Sequence, residues 1–375
     1  MANKPTGRAI YIWQQDNWPH LTVRQDELAN ILADVNTLRG QLMGRISMFG
    51  FEEQNESLLE TMTSEIVHSS KIEGQELNRD SVRSSLASQL GLKYDGLPVT
   101  DHYVEGVVQV MLDATHNFMQ PLTDERLFAW HCALFPNGYS GMYKIDVGRW
   151  REAKGAMRVV SGPMGRERVH YEAPPSSDVP AMMRELLAWI EADNNTIDPL
   201  VKASVAHLWF VTIHPFDDGN GRLCRTITEL LLSRADKTGQ RYYSLSSQIL
   251  RNRNAYYDHL EAAQKSGTDV TAWVVWFLET LREAILSSLK KTESVVHKRQ
   301  FWNLHEHTPI NERQRKVLNK LLDGFDGKLN SSKWYKICHC SQDTATRDIK
   351  DLVEKGILCK TDEGGRNTNY ELVEF

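Results

Sequence analysis

Apolar residues along this chain recur mostly at helical spacing, so most of it is predicted to be helix. In residues 58–73, Leu59, Met62 and Ile66 share one stripe, which predicts a helix with one buried face. Residues 200–213 (LVKASVAHLWFVTI) are apolar on nearly every side, the pattern of a helix enclosed within a bundle. After a break at HPFDDGNG, a second helix is predicted to start near Gly221 and to turn Leu223, Ile227, Leu230 and Leu231 toward a core. Residues 269–289 give another amphipathic helix through Trp273, Trp276, Phe277 and Leu281.

Residues 148–175 break this pattern. Val159 and Val160 on one side, and Val169 and Tyr171 on the other, flank SGPMGRER, a turn-forming stretch, which predicts a β-hairpin. A hairpin on a helical body is better placed to touch a partner than to carry the fold. The last segment is different again. Helices are predicted over 311–322, 332–338 and 341–354. They are followed by a strand at Ile357-Leu358-Cys359, a turn at Gly364-Gly365 and a strand at Tyr370-Glu371-Leu372. Three short helices and a hairpin form the winged-helix pattern, with its boundary expected near Thr308-Pro309.

At 375 residues the chain exceeds a single domain of ordinary size, so two or three domains are expected. Its 41% hydrophobic and 25% charged residues are those of a soluble globular protein. A net charge of -5 gives no general attraction to nucleic acid or to an anionic membrane. The N-terminus lacks an apolar signal region and no stretch has the length of a membrane span, so we expect no membrane association and a cytoplasmic protein. Cys132, Cys224, Cys338, Cys340 and Cys359 are odd in number and form no CxxC pair, which supports neither a disulfide framework nor a zinc ribbon. Cys338-His339-Cys340 is poor chelating geometry without a second pair of ligands.

The stretch from His214 to Arg225 (HPFDDGNGRLCR) concentrates the chemistry. Gly219 and Gly221 bracket Asn220 at a helix start, where the backbone can turn tightly and approach another group. The first amides of such a helix form a site for phosphate. Arg222 and Arg225 lie on one face near that end, and two guanidinium groups there suit a polyphosphate. Asp218 offers a hard oxygen ligand for magnesium. His214, at the end of the preceding helix, can accept a proton near neutral pH, although a lone histidine there could equally be a structural cap. Asp217, adjacent to Asp218, is read as solvated or structural. Together these parts fit attack of a hydroxyl on a nucleotide phosphate.

The loop resembles the Fic family of protein AMP transferases, whose motif HxFx(D/E)GNGRxxR is matched at every defined position. The resemblance implies a mainly α fold, a Fic-type helical bundle with a small β-hairpin flap that aligns the target's backbone. It implies ATP as substrate and Mg2+ as cofactor, with His214 as the base and as part of the ATP site. Asp218 would bind the metal. Gly219, Asn220, Gly221 and Arg222 would hold phosphate, and Arg225 the terminal phosphate. Tyr256 and Tyr257 resemble the family's aromatic pair near the nucleotide; Tyr257 is assigned to the ATP site, and both could instead be partly core. His170 and Tyr171 could meet targets or simply face solvent.

Glu73 falls on the same stripe as Leu59 and Ile66, and a carboxylate on a buried face needs a partner, for which Arg225 is a candidate. The alternative is a surface carboxylate at a helix end, followed by Gly74. Ser69-Ser70-Lys71-Ile72-Glu73-Gly74 also matches the family's inhibitory motif (S/T)xxxE(G/N). By resemblance Glu73 pairs with Arg225 and blocks productive placement of ATP.

The expected organisation is an N-terminal helical region (1–96) carrying the inhibitory helix, a Fic core (97–300) and a winged helix (308–375). The expected reaction is AMP transfer from Mg-ATP to Ser, Thr or Tyr hydroxyls of a target protein or of the chain itself, releasing pyrophosphate, and a homodimer is expected. Two other readings stand beside it: a DNA-binding regulator whose Fic core is only a sensor, and a transferase of another phosphate-containing group. From Thr308 onward there are twelve Lys and Arg against eleven Asp and Glu. That balance leaves DNA and a protein equally open as partners of the winged helix.

Overall fold

The computed structural model describes residues 10–92, 101–152, 155–161, 166, 168–192, 196–322, 325, 327–361 and 368–374. The chain divides into two compact units, Met1–Ser288 and Leu289–Phe375.

The first unit opens with a short 3-10 turn, Ile12–Gln14, and then α1 (Gln25–Ser47), α2 (Phe51–Ile72) and α3 (Arg79–Gln89). The stripe read from the sequence is the buried face of α2: Leu59, Met62 and Ile66 are each at most 3% exposed. This face packs on α4 (His102–His116), α8 (Asn220–Asp236) and α9 (Leu245–Arg251). At its end, Gly74 takes φ +78°, a left-handed turn that glycine adopts without strain.

The centre is α7 (Pro199–Ile213) against α8, with α5 (Asp124–Leu134) and α6 (Val179–Glu191) alongside. Every side chain of α7 from Ala203 to Ile213 is buried, as its unbroken apolar pattern requires. Leu223, Ile227, Leu230 and Leu231 of α8 are buried as expected. Two small hairpins lie between α5 and α6. One joins β1 (Tyr139–Ser140) to β2 (Tyr143–Lys144); the other joins β3 (Arg158–Ser161) to β4 (Arg168–Glu172). In the second, Val159 opposes Tyr171 and Val160 opposes Val169, with a register shift between Val159 and Val160. This is the expected hairpin, although most of its turn lies outside the described residues. The unit continues through α10 (Arg253–Gln264) into α11 (Thr271–Leu304), which is longer than the 269–289 helix expected, because residues past Leu289 offer no Gly or Pro to stop it.

The second unit takes in the C-terminal part of α11 and then α12 (Glu312–Leu322), α13 (Ser331–Cys338), α14 (Gln342–Glu354) and the antiparallel pair β5 (Leu358–Lys360) and β6 (Tyr370–Leu372). Phe301, Val317, Leu318, Trp334, Ile349, Leu352 and Leu358 share its core. Phe301 lies ahead of the Thr308-Pro309 boundary suggested by the sequence. The Gly364-Gly365 turn lies outside the described residues.

Candidate active site

His214 ends α7 with φ 53° and ψ 59°, a left-handed conformation costly for a residue with a Cβ. Arg151, buried to 1% exposure, holds it there. Its Nε donates to the His214 carbonyl at 2.7 Å and its Nη2 to the Pro174 carbonyl at 2.5 Å, while its own amide donates to the Pro215 carbonyl at 2.9 Å. The His214 Nδ1 lies 3.3 Å from the Val211 carbonyl, so Nδ1 carries the proton and Nε2 is left as an acceptor. Burial lowers its pKa to about 4, partly offset by the Val211 carbonyl. The ring is therefore neutral at physiological pH and able to take a proton.

The loop that follows is held from within. Phe216 is fully buried and stacks on His131 at 4.2 Å. The Asn220 carboxamide accepts from the Phe216 amide at 2.9 Å and donates to the Phe216 carbonyl at 2.8 Å. Its side chain, 2% exposed, is thus committed to closing the loop, where a direct phosphate contact had been expected. Gly219 caps α8 at φ +82°. Asp217 is structural, accepting from the Asp146 amide at 3.0 Å. The Asp218 carboxylate accepts from the Ser140 hydroxyl and from the Gly219 amide at 2.5 Å. Its carbonyl accepts from His131 Nε2 at 3.1 Å, and His131 Nδ1 in turn accepts from the Gly148 amide at 3.2 Å. Burial lowers the His131 pKa to about 4, which keeps this relay neutral.

Arg222 and Arg225 of α8 are buried, and both are tied to the end of α2 and the residues just after it. Arg222 lies over the Phe135 ring at 4.8 Å, and its Nη1 donates to Gln75 Oε1 at 3.0 Å and to the Tyr103 hydroxyl at 2.6 Å. Arg225 donates through Nε to Ser69 Oγ at 2.9 Å and through Nη2 to the Ser69 carbonyl at 2.8 Å. Its Nη1 is 2.8 Å from Glu73 Oε1, close in charge but poorly aligned as a hydrogen bond. Burial works against the guanidinium's charge, and Glu73 outweighs it, so the Arg225 pKa is raised. Glu73 does not lie on the buried stripe. It is the C-cap residue, one position past α2, and its side chain is 31% exposed. The pairing with Arg225 and the helix-end position are both present. A Cβ on Gly221 would come within 2.0 Å of Glu73 Oε1, so the absent side chain makes room for the carboxylate.

Glu73, Gly221 and His214 open onto one cavity of about 560 Å³, walled on one side by Val159, Val160, His170 and Tyr171 of the β3–β4 hairpin and on the other by α10. Tyr257 lines it and is 37% exposed, its hydroxyl 3.4 Å from the Ile72 carbonyl. Tyr256 is a core residue at 1% exposure, bonded through its hydroxyl to His207 Nε2 at 3.0 Å. His170 meets Glu261 at 2.7 Å, and Tyr171 is buried, donating to the Thr212 carbonyl at 2.6 Å. Neither simply faces solvent. Sequence reasoning did not single out Gln75, Tyr103, His131, Ser140 or Arg151, because each comes from a segment with no motif and meets the loop only on folding. Among the described residues, no three His, Cys, Asp or Glu side chains gather to hold a metal. Nor is any described helix long and apolar enough to cross a membrane.

Residues 121–232 match the Fic/DOC family model. The chain carries a Fic domain. Ahead of this domain, residues 11–92 match a domain of unknown function, DUF4172. A protein adenylyltransferase Fic of Culex quinquefasciatus is 30% identical over 125 residues, 33% of this chain and 23% of that protein. A probable protein adenylyltransferase of Aquifex aeolicus is 32% identical over 95 residues, 25% of this chain and 27% of that protein. The chain thus spans about a quarter of the length of these curated relatives. Among solved structures, a Fic family protein from Desulfovibrio desulfuricans G20 superposes with a TM-score of 0.54 at 22% identity, covering 95% of this chain and 98% of that one. Fic-1 from C. elegans superposes at 0.50 and 20% identity, covering 72% and 74%. The helical fold is that of Fic proteins.

Proposed function

We propose that this Fic domain transfers AMP from Mg-ATP to a hydroxyl of a target protein, and that Glu73 holds the reaction in check. The reading rests chiefly on one observation: a neutral His214, Gly221 at the start of α8 and the Glu73 that occupies Arg225 all line the same cavity. The acceptor oxygen attacks the α-phosphorus, its proton passes to His214 Nε2, and the bond from the α-phosphorus to the bridging oxygen breaks, releasing pyrophosphate. The α8 amides, with Arg222 and Arg225, would hold the phosphates. Asp218 would offer magnesium a single hard carboxylate oxygen, and phosphate and water would have to supply the remaining ligands. The metal would neutralise phosphate charge there.

The Fic/DOC match of residues 121–232 and the partial likeness of the chain to proteins named adenylyltransferases support AMP as the group moved. Incorporation of radiolabelled AMP by the Glu73→Gly protein tests it, with GTP, UTP and CTP in parallel. No labelling from ATP, or preferred labelling from another nucleotide, would overturn the reading. We further read α12–α14 with β5 and β6 as a winged helix that binds DNA or a protein, in an N-terminal, Fic and winged-helix arrangement that self-associates as a homodimer.

A further inference from the structure

The β3–β4 hairpin is held from both sides, and one of the holders comes from residues of the DUF4172 match. The turn Ile12–Gln14 sits with Ile12 fully buried, and the Gln14 carboxamide closes it by accepting from the Ile10 amide at 2.8 Å and the Tyr11 amide at 3.0 Å. From this turn the Trp13 indole N–H donates to the Glu172 carbonyl at 3.0 Å. The Tyr11 ring meets Tyr171 edge-on at 5.1 Å. Tyr171 continues the chain of contacts inward, its hydroxyl donating to the carbonyl of Thr212, two residues before His214. On the opposite side Glu261 of α10 takes His170 at 2.7 Å and Arg168 at 3.5 Å. The segment after the turn is itself fixed, with the Thr22 amide on the Thr268 carbonyl at 2.8 Å and the Val270 amide on the Thr22 carbonyl at 3.0 Å.

A free two-stranded hairpin is marginal in water. This one has only four to five residues per strand and a shifted register. Its position over the cavity is therefore set by what grips β4. We propose that Tyr11 and Trp13 are positioning residues that moor the hairpin relative to His214, so that this N-terminal turn governs how an acceptor protein is aligned for transfer. This rests on the transferase reading, since alignment matters only if a hydroxyl must be presented to the base. The chain Trp13–Glu172 and Tyr11–Tyr171–Thr212 links the turn to the backbone of the base's own helix, so loosening it would misplace the acceptor without touching the nucleotide.

The test uses the full chain with Glu73→Gly as catalyst, in versions that also carry Trp13→Ala, Tyr11→Ala or Trp13→Phe. A second copy bearing Glu73→Gly and His214→Ala serves as acceptor protein. In Trp13→Ala and Tyr11→Ala, amide hydrogen exchange across β3 and β4 is expected to speed up about tenfold relative to α7. KM for the acceptor should rise about tenfold, with kcat at saturating acceptor and the Kd for Mg-ATP changed less than twofold. Trp13→Phe, which keeps an aromatic ring but loses the indole N–H and part of the ring area, should move in the same direction by less, and it guards against a misfolded Ala variant. Unchanged hairpin exchange, an equal acceleration in α7, or a loosened hairpin with unaltered acceptor KM each overturns the proposal. Absence of transfer by the Glu73→Gly parent itself would instead defeat the transferase reading, and the exchange measurement alone would then decide whether the mooring exists.

Discussion

The Glu73 carboxylate meets Arg225 through the one guanidinium nitrogen that Ser69 leaves open. Nε and Nη2 of Arg225 are bonded to Ser69, while Nη1 faces Glu73 Oε1 at 2.8 Å. Arg225 is 1% exposed, whereas the Glu73 side chain is 31% exposed, so the acid is the partner that can leave. In the proposed reaction, an incoming phosphate and the carboxylate would compete for the same nitrogen, and Glu73 Oε1 already sits where a side chain on Gly221 would begin.

Glu73→Gly should therefore raise AMP transfer at least tenfold, since a misplacement of about 1 Å at the reacting centre can cost a hundredfold. Loss of a half-buried partner from a buried guanidinium should cost about 1–2 kcal/mol of stability. Glu73→Gly combined with His214→Ala should be silent. Equal AMP incorporation by wild type and Glu73→Gly would make the pair purely structural.

His214 carries a sign-definite pH prediction. Its pKa is lowered by burial to about 4, so the reactive neutral ring persists as the pH falls through 6.5 and is lost only near 4. The transfer rate of the Glu73→Gly protein, followed from pH 8 downward, should stay level past pH 6, where an ordinary histidine would already be losing activity. Stability has its own pH dependence. His214, His131 and His207, with pKa values of about 4, 4 and 3, stay neutral in the folded chain while the unfolded chain takes up protons below about 6.5. Stability should then decline between pH 6.5 and 4 as pH falls. Half-loss of rate near 6.5 would show that the base is solvated.

Asn220 separates loop closure from phosphate contact. Its carboxamide satisfies both the amide and the carbonyl of buried Phe216. Asn220→Ala should lower stability by about 1–3 kcal/mol with no nucleotide present, the cost of leaving buried polar groups unpaired. Thermal unfolding of the ligand-free protein checks this. An unchanged Tm with weakened ATP binding would return Asn220 to the phosphate site.

What the sequence made legible was local. The motif's spacing put His214 at the end of α7 and Gly219, Gly221, Arg222 and Arg225 in the cap and first turns of α8, because all lie within twelve consecutive residues and need no tertiary information. Glu73 was read onto a buried stripe because helical periodicity was extended one residue too far, past Ile72 to where Gly74 turns the chain. Arg151 and His131 were not legible at all. Their work consists of hydrogen bonds to main-chain groups of the loop, and a main-chain partner leaves no mark on residue identity.

Asp218 tests the metal. Asp218→Ala should remove most of the gain that magnesium gives to ATP binding, about tenfold in Kd, with a minor loss of stability from the Ser140 contact. Calorimetry with and without magnesium reads both. An identical magnesium response in the two proteins would exclude Asp218 as the ligand.

The C-terminal unit offers the last test, because its core reaches back before the point where the sequence suggested that it began. Phe301 is 1% exposed within the cluster that includes Val317, Trp334 and Leu352. The neighbouring Trp302 donates to Asn319 at 3.0 Å and carries Arg315 over its ring at 4.4 Å. A fragment spanning 289–375 should unfold cooperatively in urea. One spanning 308–375 should be less stable by about 3–5 kcal/mol, the usual cost of losing a buried aromatic from a core. The longer fragment also decides the partner. Arg347 and Lys350 of α14 are exposed, but the acids between and after them are engaged: Asp348 by Arg313 at 2.8 Å, and Asp351 by Gln314 at 2.6 Å and by Lys355. Asp343 and Glu354 of the same helix are exposed as well, so the open face of α14 carries two acids beside Arg347 and Lys350. Binding of duplex DNA with an affinity that falls steeply with salt would favour a nucleic-acid reader. Fragments of equal stability would place Phe301 outside the folding unit, and no DNA binding even at low salt would leave a protein as the partner.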